Sequence, residues 1–217
     1  MRGLIIAGIG TDVGKTVVSA VVCEALNADY WKPLASGLDT AKGDDESVAA
    51  LIKNGKDRVH PSTYRFKRAL SPHIAAALEG ETICLERLML PSSDRPIVVE
   101  LAGGVLVPLS DDYTNMELIA RLDLPVLVVS RHYLGSINHT LLTIEALRAR
   151  GVAIMGVVFN GAELPDSERI IERLGQVHII GRIPELAELS PETISSVVPQ
   201  LKLYYLTSQA RSIGPGS

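Results

Sequence analysis

Gly8-Ile9-Gly10-Thr11-Asp12-Val13-Gly14-Lys15-Thr16 is the stretch that decides the fold. A short apolar run, Leu4–Ala7, precedes it, and a segment with helical periodicity, Lys15–Leu26, follows it. Strand, glycine-rich turn and helix in that order form the context a phosphate-binding loop requires. Glycines let successive backbone N–H groups turn toward phosphate oxygens, and the helix N-terminus adds a favourable dipole. Lys15 is then placed to reach the β- and γ-phosphates of a nucleoside triphosphate, and the Thr16 hydroxyl to ligate Mg²⁺. The common form of the loop has four residues between its glycines. Here five residues separate Gly8 from Gly14, which marks a variant loop.

Outward from the loop, apolar runs alternate with helical patterns. Leu4–Ala7, Tyr30–Lys32, Ile97–Glu100, Val126–Ser130, Ile154–Asn160 and His178–Ile180 read as strands. Several lack polar alternation, as expected of strands buried on both faces of a parallel sheet. Helices are expected at Lys15–Leu26, Ser71–Leu78, Ile137–Arg150 and Ile170–Leu174, the last entered through Pro165 and Asp166. Strand–helix repetition predicts a single doubly wound α/β domain with a mostly parallel sheet. The domain is expected over 1–211, with the Gly/Pro-rich residues 212–217 as a tail.

Composition narrows the function. The 217 residues suffice for one sizeable core, and 47% apolar with 21% charged residues is ordinary for a globular chain. A net charge of −4 without a Lys/Arg cluster excludes a nucleic-acid footprint. No run approaches the ~18 apolar residues needed to span a bilayer. Cys23 and Cys84 are too few for a disulfide framework or a zinc site, and a reducing cytoplasmic setting is expected.

Three polar residues close other predicted strands: Lys32, Glu100 and Asn160. Ligands of open parallel sheets bind outside the carboxyl ends of the strands, so all three converge on the edge that carries the phosphate loop. Glu100, ending an apolar strand, resembles the acidic residue that holds Mg²⁺ in phosphate-loop enzymes. Asn160 is not followed by the Lys-x-Asp of a guanine reader, which favours adenine. Asp44, Asp45 and Glu46 follow Gly43 at the head of an apolar helix and supply either helix caps or a metal-linked acid.

Taken together, these segments resemble dethiobiotin synthetase, a P-loop NTPase-type fold. The resemblance rests on the loop Gly8–Thr16, Lys32-Pro33-Leu34-Ala35-Ser36-Gly37, Ser71-Pro72-His73-Ile74, and Glu100-Leu101-Ala102-Gly103-Gly104 with Pro108-Leu109-Ser110-Asp111. It continues through Leu134-Gly135-Ser136-Ile137-Asn138-His139, Asn160 and Gly181-Arg182-Ile183-Pro184, in family order to about residue 185.

What the resemblance implies is ATP- and Mg²⁺-dependent closure of a cyclic urea on 7,8-diaminononanoate with CO₂, in biotin synthesis. It implies catalytic roles for Lys15, Lys32 and Thr11, and metal ligation by Thr16, Asp44 and Glu100. Asp44 is preferred to Asp45 because Val48 then falls on the following helix. ATP is expected to contact Asp12, Val13, Gly14, Lys15, Thr16, Val17, Leu101, Ala102 and Gly103, with Asn160, Gly161, Ile183, Pro184 and Glu185 lining the adenine pocket. Ser36 and Thr11 are implied for the substrate. Ser136, Ile137 and Asn138 are implied to hold its carboxylate across a homodimer interface. Leu101 stands where Gly is expected, so the backbone there is expected to differ.

The main alternative is an ATPase switch of the partitioning or septum-site type. Such proteins usually carry a second lysine early in the loop, which Ile9, Gly10 and Thr11 leave no place for, and a basic amphipathic tail, which Ile194–Leu206 does not provide. A glutamine-dependent amidase would need a nucleophilic cysteine, and neither Cys23 nor Cys84 sits in an activating sequence context.

Overall fold

The computed structural model describes residues 2–40 and 42–208; the expected 212–217 tail lies outside them. Seven strands form the main sheet: β1 (Gly3–Gly8), β2 (Asp29–Trp31), β4 (Val59–His60), β6 (Ile97–Gly104), β7 (Val126–Ser130), β8 (Ile154–Asn160) and β9 (Ile179–Ile183). Two further strands, β3 (Leu34–Ala35) and β5 (Tyr64–Arg65), pair with each other. The helices are α1 (Lys15–Leu26), α2 (Asp44–Leu51), α3 (Gly55–Arg58), α4 (Pro72–Leu78), α5 (Asn115–Leu122), α6 (Ser136–Ala149), α7 (Pro165–Gly175), α8 (Pro191–Val197) and α9 (Leu203–Ser208).

The main sheet runs β4-β2-β6-β1-β7-β8-β9, and every neighbouring pair is parallel. After β1 the chain winds outward to β2 and β4, returns to lay β6 beside β1, then winds the other way through β7, β8 and β9. The winding reverses around β1 and β6, and the crevice above their carboxyl ends is where an open sheet of this kind takes its ligand.

The apolar runs without alternation are explained by helices on both faces. Along β1, Ile5 and Ala7 join the layer formed with Met116 and Ile119 of α5, Ile144 and Leu147 of α6, and Ile171 of α7. Leu4 and Ile6 face the opposite layer, made with Val18 and Val22 of α1, Val48 of α2, and Ile194 of α8. Successive side chains point to opposite faces, so a strand covered twice must be apolar at every position. Each fully buried Val, Leu or Ile contributes about 1.5–3 kcal/mol.

All six predicted strands are found in this sheet, Val126–Ser130 and Ile154–Asn160 with the expected bounds and the other four with shifted ends. β6 continues through Gly104, and β9 runs from Ile179 to Ile183. The short elements β3, β4 and β5 carry two residues each, too few for a periodicity to register. The segment considered for a membrane tail instead forms the short helices α8 and α9, whose Ile194, Val197 and Leu206 pack into the core. Among the described residues no helix is long and apolar enough to cross a membrane.

α1, which carries the loop lysine and threonine at its head, is anchored at its other end from outside. Its last turn holds no basic residue. Arg58 of α3 supplies the charge: its guanidinium donates to the carbonyls of Cys23 (2.7 Å), Ala28 (2.7 Å) and Lys53 (2.9 Å), and pairs with Glu24 at 2.7 Å. Cation and helix C-terminus attract, and the buried pair completes the capping. Removing one partner of a buried ion pair costs about 3–5 kcal/mol. Arg58→Met is therefore expected to lower the unfolding free energy by about that much in urea titrations. A loss below 1 kcal/mol would show that water replaces Arg58 at the helix end.

Candidate active site

The loop from Gly8 to Thr16 is shaped by one left-handed residue at the helix head. Gly14 has φ 89°, and a Cβ there would run into the Asn160 side-chain amide at the end of β8. Only glycine meets both demands, positive φ and no side chain. Asp12 also takes φ 57°, which turns the loop over the head of α1. The first turn of α1 contains no acid and no side chain caps it, so its N–H groups remain open to an anion. Lys15 is buried and donates to the Gly10 carbonyl at 2.8 Å, within its own loop. Burial lowers its pKa, against the opposing pull of Glu100.

Beside the loop a charge network centres on Glu100, 1% exposed in β6. Its Oε1 accepts from Thr16 Oγ1 at 3.1 Å and from Lys32 Nζ at 3.0 Å. Its Oε2 accepts from Ser19 Oγ at 2.9 Å and from Tyr30 OH at 3.0 Å. Asp44, at the head of α2, accepts from Thr16 Oγ1 at 2.7 Å and pairs with Lys32. Burial opposes charge on both members of that pair, yet each stays ionised. Glu100 and Asp44 hold the Lys32 pKa above its ordinary value, and Lys32 holds Asp44 below the usual carboxylate range. Burial and then the Glu100 charge push the Tyr30 phenol well above its ordinary value, so it acts as a donor.

Asp44 and Asp45 part company here. Asp45 points to Arg65 of β5, pairs with it, and caps the Glu46 N–H at 3.0 Å. Asp44 alone faces the loop. A hydroxyl and two carboxylates form an all-oxygen set suited to a hard cation that keeps several waters, such as Mg²⁺. No group of three His, Cys, Asp or Glu able to hold a metal occurs among the described residues.

A cleft of about 920 Å³ opens over these groups. Thr11, Asp12, Gly14, Lys15, Thr16, Val17, Lys32, Ser36, Asp44, Glu100, Ala102, Gly103 and Asn160 all line it. Ser36 Oγ is buried without a hydrogen-bond partner. The Ala102–Gly104 segment is pinned by Asn115, whose amide donates to the Ala102 and Gly104 carbonyls at 2.7 and 2.8 Å.

Other expected residues stand differently. Val13 and Ile183 turn their side chains into the core and offer only backbone; the Ile183 carbonyl accepts from Gly161 N at 2.8 Å. Leu101 also points into the core, on the face opposite Glu100, and just beyond it the pairing with β1 is irregular, stepping from Ile6–Glu100 to Gly8–Gly104 with Gly103 at φ 66°. Gly161 and Glu185 lie beside Arg131, which pairs with Glu185 at 3.1 Å and reaches the cleft wall; Pro184 is half-buried next to them. Ser136, Ile137 and Asn138 head α6 but do not line this cleft.

Three functional contacts escaped the sequence reading: Ser19, Tyr30 and Arg131. Helical spacing of three puts Ser19 below Thr16, and strand spacing of two puts Tyr30 on the same face as Lys32. Cys23 is buried and its thiol is pushed up by that burial, which removes it as a nucleophile.

The profile of the AAA domain family matches residues 2–193. The ATP-dependent dethiobiotin synthetase BioD of Nitrobacter hamburgensis is 47% identical over 191 residues, which cover 88% of this chain and 90% of that protein. The chain belongs to the dethiobiotin synthetase family. A second family member, from Christiangramia forsetii, is 45% identical over 184 residues, or 85% of this chain and 88% of its own length. Among solved structures, the MinC:MinD cell division protein complex of Aquifex aeolicus superposes with a TM-score of 0.57 at 15% identity, covering 100% of this chain and 99% of that one. At that identity the likeness shows the shared fold alone.

Gly14→Ala tests the loop geometry. The added methyl strains the left-handed backbone and displaces the Asn160 amide, so nucleotide affinity is expected to fall at least about tenfold, which is about 1.4 kcal/mol. Calorimetry with ADP and Mg²⁺ reads this directly. Unchanged affinity would mean that Gly14 is not held in its left-handed conformation when nucleotide binds.

Proposed function

We propose that this chain converts 7,8-diaminononanoate, CO₂ and ATP to dethiobiotin, ADP and phosphate, the reaction that its sequence resemblance implies; the name of its relatives gives the ATP-dependent synthesis of dethiobiotin. One observation carries the reading. Two ammonium groups, Lys15 of the phosphate loop and Lys32, line one cleft together with the Asp44 and Glu100 carboxylates and the Thr16 hydroxyl. The reaction needs such a place, because a carbamate and a γ-phosphate are both anions and must be brought within bonding distance.

In this reading one substrate amine adds CO₂ to form a carbamate and releases a proton. A carbamate oxygen attacks the γ-phosphorus and ADP leaves. The second amine then attacks the carbamate carbon, closes the five-membered urea and expels phosphate. Lys15 moves from the Gly10 carbonyl to the β- and γ-phosphates, and Lys32 bridges carbamate and the transferring phosphoryl group. Thr11 and Ser36 are neutral donors beside them; the unpartnered Ser36 hydroxyl suits a carbamate oxygen. Thr16, Asp44 and Glu100 would hold Mg²⁺, which neutralises charge on the phosphates. Asn160 and Gly161, with the Pro184–Glu185 turn and Arg131, wall the adenine side.

The substrate carboxylate needs an anion site of its own, and Ser136–Asn138, the residues implied for it, do not line the cleft of their own chain. We assign it to the Gly135–Asn138 turn of a partner in a homodimer, where the N–H groups at the head of α6 favour an anion. Leu134 is fully exposed beside that turn and Tyr133 half-exposed, apolar surface that a partner would cover. We place the protein in the cytoplasm, in keeping with its two free cysteines.

ADP release should require both diaminononanoate and bicarbonate. Release at the same rate without either would identify an ATPase switch instead. Lys32→Ala should cut kcat about 10²–10³-fold while leaving ATP affinity within a few-fold, as expected for a group that acts on the transition state. Lost ATP binding with normal turnover at saturation would make Lys32 a nucleotide anchor. For the dimer, mixing Lys15→Ala chains with chains altered at Ser136–Asn138 should restore activity through one intact shared site per heterodimer. Mixtures no more active than the separate variants, with subunit exchange verified, would confine the site to one chain.

A further inference from the structure

The two oxygens of Glu100 are used unequally. Oε1 faces the cleft and meets Thr16 and Lys32. Oε2 faces away and is saturated by two hydroxyl donors, Ser19 Oγ and Tyr30 OH. Both donors belong to side chains with no exposed surface, on two different elements: Ser19 one turn into α1, and Tyr30 in β2.

The placement follows from register. Tyr30 pairs with Val98 across β2 and β6, and Glu100 lies two residues further along the same face. That face is covered by α1, which brings Ser19 down onto the carboxylate. A carboxylate oxygen has about two acceptor directions, and here both directions of Oε2 are filled. Turning the carboxylate about its last torsion would break both bonds and leave two hydroxyls with no exposed surface unpaired. Lys32 is able to leave Oε1 without any such loss, because it keeps Asp44 as a partner.

We propose that Ser19 and Tyr30 are positioning residues that fix the Glu100 carboxylate so that Oε1 alone is presented to the cation of the nucleotide complex. The inference rests on the assignment of Glu100 as a metal ligand. Partners behind a ligating carboxylate commonly matter about 10–100-fold in metal affinity or activity. Neither hydroxyl touches nucleotide or substrate, and neither is a catalytic residue.

The test is the coupling between Mg²⁺ and nucleotide, read as the ratio of ADP dissociation constants in EDTA and in saturating MgCl₂, by calorimetry on the full chain. Tyr30→Phe keeps the ring and its packing and removes one donor. It should lower the coupling about tenfold while leaving the affinity in EDTA within two-fold. Ser19→Ala should act in the same direction, and the double variant should fall further. Glu100→Gln separates the two levels of the argument. If Glu100→Gln loses the coupling while Tyr30→Phe and Ser19→Ala each keep it within two-fold, the positioning role is overturned and the metal assignment stands. If Glu100→Gln keeps the coupling, the metal assignment itself falls. A purely structural role for the hydroxyls predicts lower melting temperatures with unchanged coupling, which also overturns the proposal. Should Tyr30→Phe not fold, Ser19→Ala alone decides the matter by the same criterion.

Discussion

A carboxylate almost wholly removed from water, midway along β6 beside the strand that leads into the phosphate loop, sets the terms for the rest of this site. An ionised group in that position is costly unless every lone pair finds a donor. Ser19, Tyr30 and Lys32 donate to Glu100, and Thr16 lies 3.1 Å from it with a single proton shared with Asp44, so α1 and β2 with its immediate end each supply two partners. The carboxylate therefore ties together the helix that follows the loop, the strand that delivers Lys32, and the strand on which it sits. Packing alone would place these elements within an ångström or two; the hydrogen bonds fix which atoms meet.

Charge balance follows from the same cluster. The two ammonium groups of Lys15 and Lys32 and the two carboxylates of Asp44 and Glu100 nearly cancel in charge. A triphosphate and a carbamate bring several negative charges to a place already balanced, and Lys15 and Lys32 cannot serve them while engaged with Gly10, Asp44 and Glu100. In the proposed reading, Thr16, Asp44 and Glu100 would hold a divalent cation, whose charge would offset the carboxylates and leave Lys32 available to the transferring group.

Much of this was legible in the residues. Strands covered on both faces must be apolar throughout, so Val126–Ser130 and Ile154–Asn160 could be read to the residue. The loop was legible because glycine, lysine and threonine have few other reasons to follow a buried strand in that order. Lys32, Glu100 and Asn160 were legible as polar residues closing apolar runs. The choice between Asp44 and Asp45 was not, because it depends on Arg65, which arrives through a two-residue strand with no pattern of its own. The side-chain direction of Leu101 follows from alternation along β6, which turns it to the face opposite Glu100, whereas the irregular pairing between Glu100 and Gly104 has no sequence pattern of its own. Ser19 and Tyr30 resembled ordinary interior residues until their oxygens were seen to share one acceptor. The short helices α5 and α8 begin at capping boxes around Thr114 and Ser190, a local signal that the search for long periodic stretches passed over.

The most direct test of the account follows one oxygen atom. If a carbamate oxygen attacks the γ-phosphorus, an oxygen from CO₂ must leave in the phosphate when the ring closes. Single-turnover reactions with ¹⁸O-labelled CO₂, diaminononanoate and ATP, quenched before the label exchanges with water, should yield dethiobiotin, ADP and phosphate in equal amounts, with one ¹⁸O in the phosphate. Phosphate without label, formed together with ADP whether or not dethiobiotin appears, would mean that water attacks ATP and that the cleft does not join carbamate to phosphoryl group.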